Sequence, residues 1–223
     1  MGSNQLMLQL FFLLVSFLSC QLAFSSEYVE CSENLVKLKS RQQELQRLRA
    51  EDQKDRYNPT NWPEILKRDR ERRMRVGQIF GEGCMVSPAD FEAAALIFQH
   101  GDRPEHYWQA FVFSMHGVRM GDAQQKELAA KGIDRYLVSQ EIGKKQLFAS
   151  QAFMPAGSEC FCLRQVEHGF PDSLRIEYTG RSYVDALEWI NHLNERNASS
   201  HCLAQECQEE LDPTPRGSIP GVW

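Results

Sequence analysis

Residues 87–105 read SPADFEAAALIFQHGDRPE, and this stretch decides the fold. Ser87 offers a capping hydroxyl, Pro88 stands in the first turn where its missing N–H costs nothing, and Asp90 occupies the third helical position. Together they start a helix. Residues 91–99 carry apolar side chains all round, which places that helix at the centre of the molecule rather than on its surface. Gly101 is expected to end it in a left-handed conformation, and Asp102-Arg103-Pro104-Glu105 opens its successor.

Working outward, the pattern stays helical. The helix from Pro104 runs through Met120 and carries Tyr107, Trp108, Phe111, Val112, Met115 and Val118; Gly121 stops it, Asp122 caps the next, and Gly143 closes that one. Upstream, residues 34–57 place Leu35, Leu38, Leu45 and Leu48 among Gln, Arg and Glu without an internal Gly or Pro, which suits a long exposed helix that ends before Pro59. A second helix over 61–80 starts with Asn61 as its cap and has Trp62, Ile65, Leu66, Val76, Ile79 and Phe80 on one face. Asp69 shares that face, so it needs a cationic partner such as an arginine from a neighbouring helix. Short links between such helices make antiparallel hairpins, and no fixed-period repeat supports a solenoid.

After Gly157 the pattern changes. Residues 160–166 and 174–178 alternate and are β-prone, with His168-Gly169-Phe170-Pro171-Asp172 between them, which reads as a hairpin. Ser182 caps a last helix carrying Tyr183, Ala186, Leu187, Ile190 and Leu193. The fold class is therefore mainly α: an antiparallel helical-hairpin bundle with a small disulfide-bearing β-hairpin near the C-terminus. One domain over 27–193 is long enough for a proper core, with a signal peptide over 1–25 before it and a loose, polar tail over 194–223 after it.

Residues 7–24 are nearly continuous apolar sequence followed by small residues, the pattern of a cleaved secretory signal; a retained membrane anchor is the rival reading. Beyond the signal stand Cys31, Cys84, Cys160, Cys162, Cys202 and Cys207. In an oxidising compartment this even set implies three disulfides, and six cysteines allow 15 pairings. Cys202 and Cys207 lie in a tail with little else to hold it, so this pair is expected to be tied to Cys160 and Cys162. A zinc site with His201 is the sharper alternative, but the spacing is not that of a standard finger. Asn197-Ala198-Ser199 is a glycosylation acceptor. The formal charge of −5 hides an asymmetry, since residues 37–75 hold 13 of the 25 basic residues and 7 of the 30 acidic ones. Charges alternate in sign there without interleaved aromatics, so nucleic acid is not an expected partner, nor is a membrane once the signal is removed.

A further set of residues resembles a family. Ala50-Glu51-Asp52-Gln53 with Arg56, then Trp62 and Asp69, AALIFQHGD over 94–102, Asp134-Arg135, and Gly143 with Gln146, Phe148, Ala149, Ser150 and Gln151 are similar to domain-of-unknown-function family 6624. Its wording is a D-Q-x-x-R start, a Q-H-A or Q-H-G helix end, a D-R pair and a G-x-P-Q-x-Y-G-T-Q finish. The resemblance covers roughly residues 50–153. This chain departs at the finish, with Lys145 for Pro, Phe148 for Tyr, Ala149 for Gly and Ser150 for Thr. The family brings no settled activity.

The residues themselves suggest chemistry. Asp52 and Arg56 are four apart on one helix face, whereas Asp134 and Arg135 are adjacent and point differently. If these groups converge, His100 is a candidate general acid or base with Asp52, Asp69 or Asp134 orienting it and Arg56 or Arg135 holding an anionic substrate group. Arg56, Gln99, Arg135, Gln146 and Gln151 are then candidate ligand-binding groups. The same residues also suit inter-helix ion pairs and caps that only fix the register of a bundle. No H-E-x-x-H, G-x-S-x-G or Gly-rich phosphate loop is present, so no metal or cofactor is expected. The sequence favours a secreted protein that binds a ligand or protein partner; a hydrolase-like enzyme using a His/Asp pair is the alternative.

Overall fold

The α-helix that opens at Ser87 organises the molecule. The computed structural model of the chain describes residues 31–57, 59, 61–140, 144–197, 199, 201–209 and 211. A 3-10 turn, Cys31–Glu33, leads into α1 (Leu35–Tyr57), α2 (Trp62–Gly81), α3 (Pro88–Gln99), α4 (Pro104–Arg119) and α5 (Gln125–Val138). Two short strands follow, β1 (Ala152–Phe153) and β2 (Cys162–Leu163), then α6 (Asp172–Thr179) and α7 (Tyr183–Arg196).

Helix α3 begins with a complete capping box: Ser87 Oγ accepts from the Asp90 N–H, and the Asp90 carboxylate accepts from the Ser87 N–H at 2.9 Å. It touches α1, α2, α4 and α5. Ala93, Ala94 and Ala95 are fully buried, and such small side chains let four helices approach one axis. Leu45 and Leu48 of α1, Val76 and Ile79 of α2, Phe91 and Ile97 of α3 and Phe113 of α4 complete this core. Each fully buried Leu, Ile or Phe contributes about 1.5–3 kcal/mol. Helices α4 and α5 make the most extensive contact, and Gly132 is the reason: a Cβ there would meet the Phe111 backbone nitrogen at 2.8 Å.

Several expectations need correction. Gly101 is not left-handed. Helix α3 ends at His100 with φ −93° and ψ 27°, and Gly101 is small because a Cβ would lie 2.3 Å from that of His106. Trp62, Leu66 and Phe80 are about half exposed (52%, 48% and 52%) while Ile65, Val76 and Ile79 face the core, so α2 buries a narrower stripe than its apolar content implies. Asp122 does not cap α5, whose N-cap is Gln124; it holds the preceding turn by accepting from the Gln124 N–H. Gly143 and residues 1–25 lie outside the described residues.

The hairpin is also built differently. β2 pairs antiparallel with β1, in the register Ala152 to Leu163 and Phe153 to Cys162, and residues 172–179 form a helix instead of its second strand. The alternation of Leu174, Ile176 and Tyr178 misled because α6 buries Arg175 between them, where its guanidinium donates to Leu147 O at 2.8 Å and Glu167 O at 2.7 Å. Cys31–Cys84 ties the first turn to the α2–α3 link, and Cys160–Cys202 and Cys162–Cys207 tie the hairpin to the tail, as the grouping of cysteines implied. Residues 201–209 are not loose. Leu163 N–H donates to Gln205 O, Cys207 N–H to Leu163 O, and the Gln165 amide to Glu209 O, so the tail runs beside β2.

Candidate functional site

Helix periodicity puts Asp52 and Arg56 on one face of α1 and Asp69, Arg72 and Arg73 on one face of α2, and packing turns the two faces together. Asp69 is buried and accepts from Arg56 at 2.6 Å and from Arg72 at 2.7 Å, so the arginine that its position required comes from both α1 and its own helix. Arg72 also donates to Asp55 at 2.7 Å, and Arg68 grips Asp55 with two bonds of 2.8 and 3.0 Å. The Arg68 and then the Arg72 hydrogen bonds hold the Asp55 carboxyl down at about 2. Arg73 reaches His100 O at 3.2 Å and Asp102 at 2.9 Å, while its burial pulls its pKa below the ordinary arginine value.

At the upper end of this ladder stands His100. Its ring Nδ1 lies 2.7 Å from Oδ2 of the fully buried Asp52, while the His100 side chain keeps 21% exposure. A carboxylate bonded to Nδ1 fixes the ring and its tautomer, which leaves Nε2 to act on something else. Asp52 Oδ1 has no hydrogen bond, and its nearest cation is Arg56 at 3.7 Å. Arg56 Nη1 and Gln99 Oε1 are likewise buried without a partner. Buried polar groups are nearly always satisfied, and four of the seven exceptions among the described residues, these three and Arg72 Nε, belong to the ladder and to the residue that precedes His100.

Arg135 approaches from α5. It donates to Gln99 O at 2.6 Å and to Gln151 Oε1 at 3.0 Å, and its guanidinium lies 5.7 Å from the Tyr107 ring centroid. Burial first, with the Arg56 charge adding to it, pulls its pKa below the ordinary value. The Tyr107 hydroxyl donates to Gly101 O at 2.8 Å, and Trp62 lies 6.0 Å from the Arg56 guanidinium.

No protein-family model, curated protein or solved structure matches this chain. The site therefore has to be read from its own geometry.

That geometry brings together Asp52, Arg56, Gln99, His100, Arg135 and Gln151, and it leaves two candidates elsewhere. Asp134 makes no hydrogen bond to the Asp52–His100 pair. Its two oxygens accept from the backbone N–H groups of Leu147, Phe148 and Ser150 and from Ser150 Oγ at 2.7–3.2 Å, which makes it a clamp on the following loop. Gln146 is fully buried and committed to backbone, donating to Gln151 O and Arg164 O and accepting from the Gln151 N–H. Trp62, quoted among the motif residues of the resemblance, borders the site at Arg56, as do Tyr107 and Arg73, which were not singled out from sequence. Arg73, four residues after Asp69 on the same face, could have been found by spacing, whereas nothing separates Tyr107 from the core aromatics around it.

Ala149 has φ 56°, a left-handed backbone that costs a non-glycine residue about 1–2 kcal/mol. Ala149→Gly is expected to raise stability by about 0.5–1 kcal/mol, the relief of strain outweighing the added chain entropy. Equilibrium urea denaturation checks it, and a loss of stability would show that the loop is unstrained.

Among the described residues, two groups of three could hold a metal ion, Cys160 with His201 and Cys202, and Cys31 with Glu82 and Cys84. Both place their sulfurs in disulfides, so neither offers thiolates. Asn197 is exposed at the end of α7 and its amide donates to Leu193 O at 2.8 Å; the middle residue of its glycosylation triplet lies outside the described residues. Among the described residues no helix is long and apolar enough to cross a membrane.

Proposed function

We propose that this chain binds a small polar ligand where α1, α2, the end of α3 and α5 meet around His100. The observation that carries this reading is that Asp52 Oδ1, Arg56 Nη1 and Gln99 Oε1 are each buried without a partner on residues joined to one imidazole: Asp52 bonds to it, Arg56 lies 3.7 Å from Asp52, and Gln99 precedes His100 in the chain. A bundle that needed only register would close such groups on each other. The test is a ligand-observed magnetic resonance screen of small neutral and charged molecules against the oxidised protein and a His100→Gln variant. Binders whose signal is lost in the variant support the reading. A screen in which no compound distinguishes the two proteins overturns it.

A second reading, hydrolase-like general acid–base chemistry, is favoured by the 2.7 Å Asp52–His100 pair, since a positioned base of this kind contributes about 10²–10⁴ in rate. It predicts turnover within a panel of chromogenic esters, phosphoesters and glycosides, abolished by His100→Gln and reduced by Asp52→Asn. Absence of turnover across the panel removes it and leaves the binding site.

The resemblance to domain-of-unknown-function family 6624 belongs to the same proposal. It is supported by the meeting of separated motif residues, Asp52, Arg56, Gln99, His100, Arg135 and Gln151, in one place, and by the left-handed backbone where the family has glycine. Secretion is proposed on the three disulfides and the apolar leader.

A further inference from the structure

Arg135 differs from every other arginine at this site. Arg56, Arg68, Arg72 and Arg73 each face an aspartate, whereas both hydrogen-bond acceptors of Arg135 are neutral, a main-chain carbonyl and an amide oxygen. Among the described residues no carboxylate lies within ion-pair reach of it. Arg56 faces Asp52 and Asp69, Arg68 faces Asp55 and Glu64, and Arg72 faces Asp55 and Asp69, which leaves Arg135 as the guanidinium of this group without a carboxylate of its own. A part-buried guanidinium without an anion is costly, and the Arg56 charge adds to the burial that pulls the Arg135 pKa down. Arg56 in turn keeps Nη1 buried and unused.

We infer that the ligand of the site is a small molecule bearing an oxyanion, a carboxylate or phosphoryl group, with a hydroxyl or amine beside it; this rests on the ligand-binding reading above. The oxyanion is the missing acceptor for Arg56 Nη1 and the missing charge for Arg135, and two guanidiniums are the residues best suited to grip it. The neighbouring donor is required by the other two orphans, because Gln99 Oε1 and Asp52 Oδ1 can only accept. A bare anion satisfies half of the site. A neutral polyol satisfies the other half.

The test uses four probes at matched ionic strength: glycerol, inorganic phosphate, glycerate and glycerol 3-phosphate. Each is titrated into the full oxidised protein while the arginine Nε–Hε and imidazole resonances are followed. Glycerate or glycerol 3-phosphate is expected to bind saturably, at least about tenfold more tightly than phosphate or glycerol, and to move the Arg135 and His100 signals. Tighter glycerate than glycerol 3-phosphate would identify a carboxylate source, and the reverse a phosphoryl source. Arg135→Gln should weaken the better probe at least about tenfold while leaving glycerol unchanged. If that variant does not fold, the Arg135 resonance of the unaltered protein decides. Glycerol binding at the site as well as either hydroxylated anion would overturn the oxyanion assignment and leave a ligand site standing. Failure of all four to move those resonances overturns the assignment, and if the wider screen also finds nothing, the ligand site falls with it.

Discussion

Asp134→Ala is expected to lower folding stability by about 3–5 kcal/mol near neutral pH. The carboxylate is fully buried and receives three backbone N–H groups and one hydroxyl from residues 147–150. Alanine would leave those donors in a dry interior, each costing about 1–3 kcal/mol unless the loop opens to water. The effect should also depend on pH. Burial raises the Asp134 pKa from 3.8 to about 6, against the opposing pull of the Phe148 N–H, Ser150 hydroxyl and Leu147 N–H bonds. The folded chain thus keeps this proton to higher pH than the unfolded chain does. The stability that Asp134 brings is complete below pH 3.8 and declines as pH rises through about 6, by up to about 3 kcal/mol. Once protonated, the Asp134 carboxyl can donate to Ser150 Oγ, which also accepts from the Gln151 amide at 3.0 Å. Urea denaturation of both proteins at pH 4.5 and 7.5 should give a larger difference at the lower pH. A difference under 1 kcal/mol at both would mean that the 147–150 loop holds itself.

Asp134 also illustrates what a sequence conceals. Its adjacency to Arg135 correctly implied that the two point apart, but which of them entered the site depended on where the loop after α5 returned, and that return is a tertiary event. Local signals fared better. The Ser87–Asp90 capping box and the Ser182 cap rest on chemistry within a few residues, and the tie of Cys202 and Cys207 to Cys160 and Cys162 rests on how little else holds the tail. The Asp52–Arg56 spacing was visible, yet the stronger partner of Arg56 is Asp69 on the next helix, which no spacing rule reaches. Residues 172–179 failed for a related reason. Period-two alternation assumes that the apolar residues face inward, and α6 instead buries an arginine whose partners are main-chain carbonyls distant in sequence.

The Asp69→Ala variant separates the supporting ladder from the site it supports. Asp69 is 1% exposed between Arg56 and Arg72, and Arg72 is itself 5% exposed. Removing one member of such a buried set while the cations remain costs about 3–5 kcal/mol, because a charge is left in low dielectric with fewer partners. Exposed pairs such as Arg47–Glu51 on α1 offer no comparison, since solvent screens them to within about 1 kcal/mol. Adding Arg72→Met to Asp69→Ala should recover a substantial part of the loss, and a double-mutant cycle by urea denaturation measures it. Simple additivity of the two losses would mean that Asp69 acts through packing alone. The consequence for function follows from Arg56, which Asp69 holds at 2.6 Å and Asp52 attracts from 3.7 Å. Released by the substitution, Arg56 is free to close on Asp52 Oδ1, satisfying that orphan internally and withdrawing Nη1 from any ligand. Asp69→Ala should therefore weaken ligand binding even under conditions where the variant remains folded, although Asp69 touches no ligand itself.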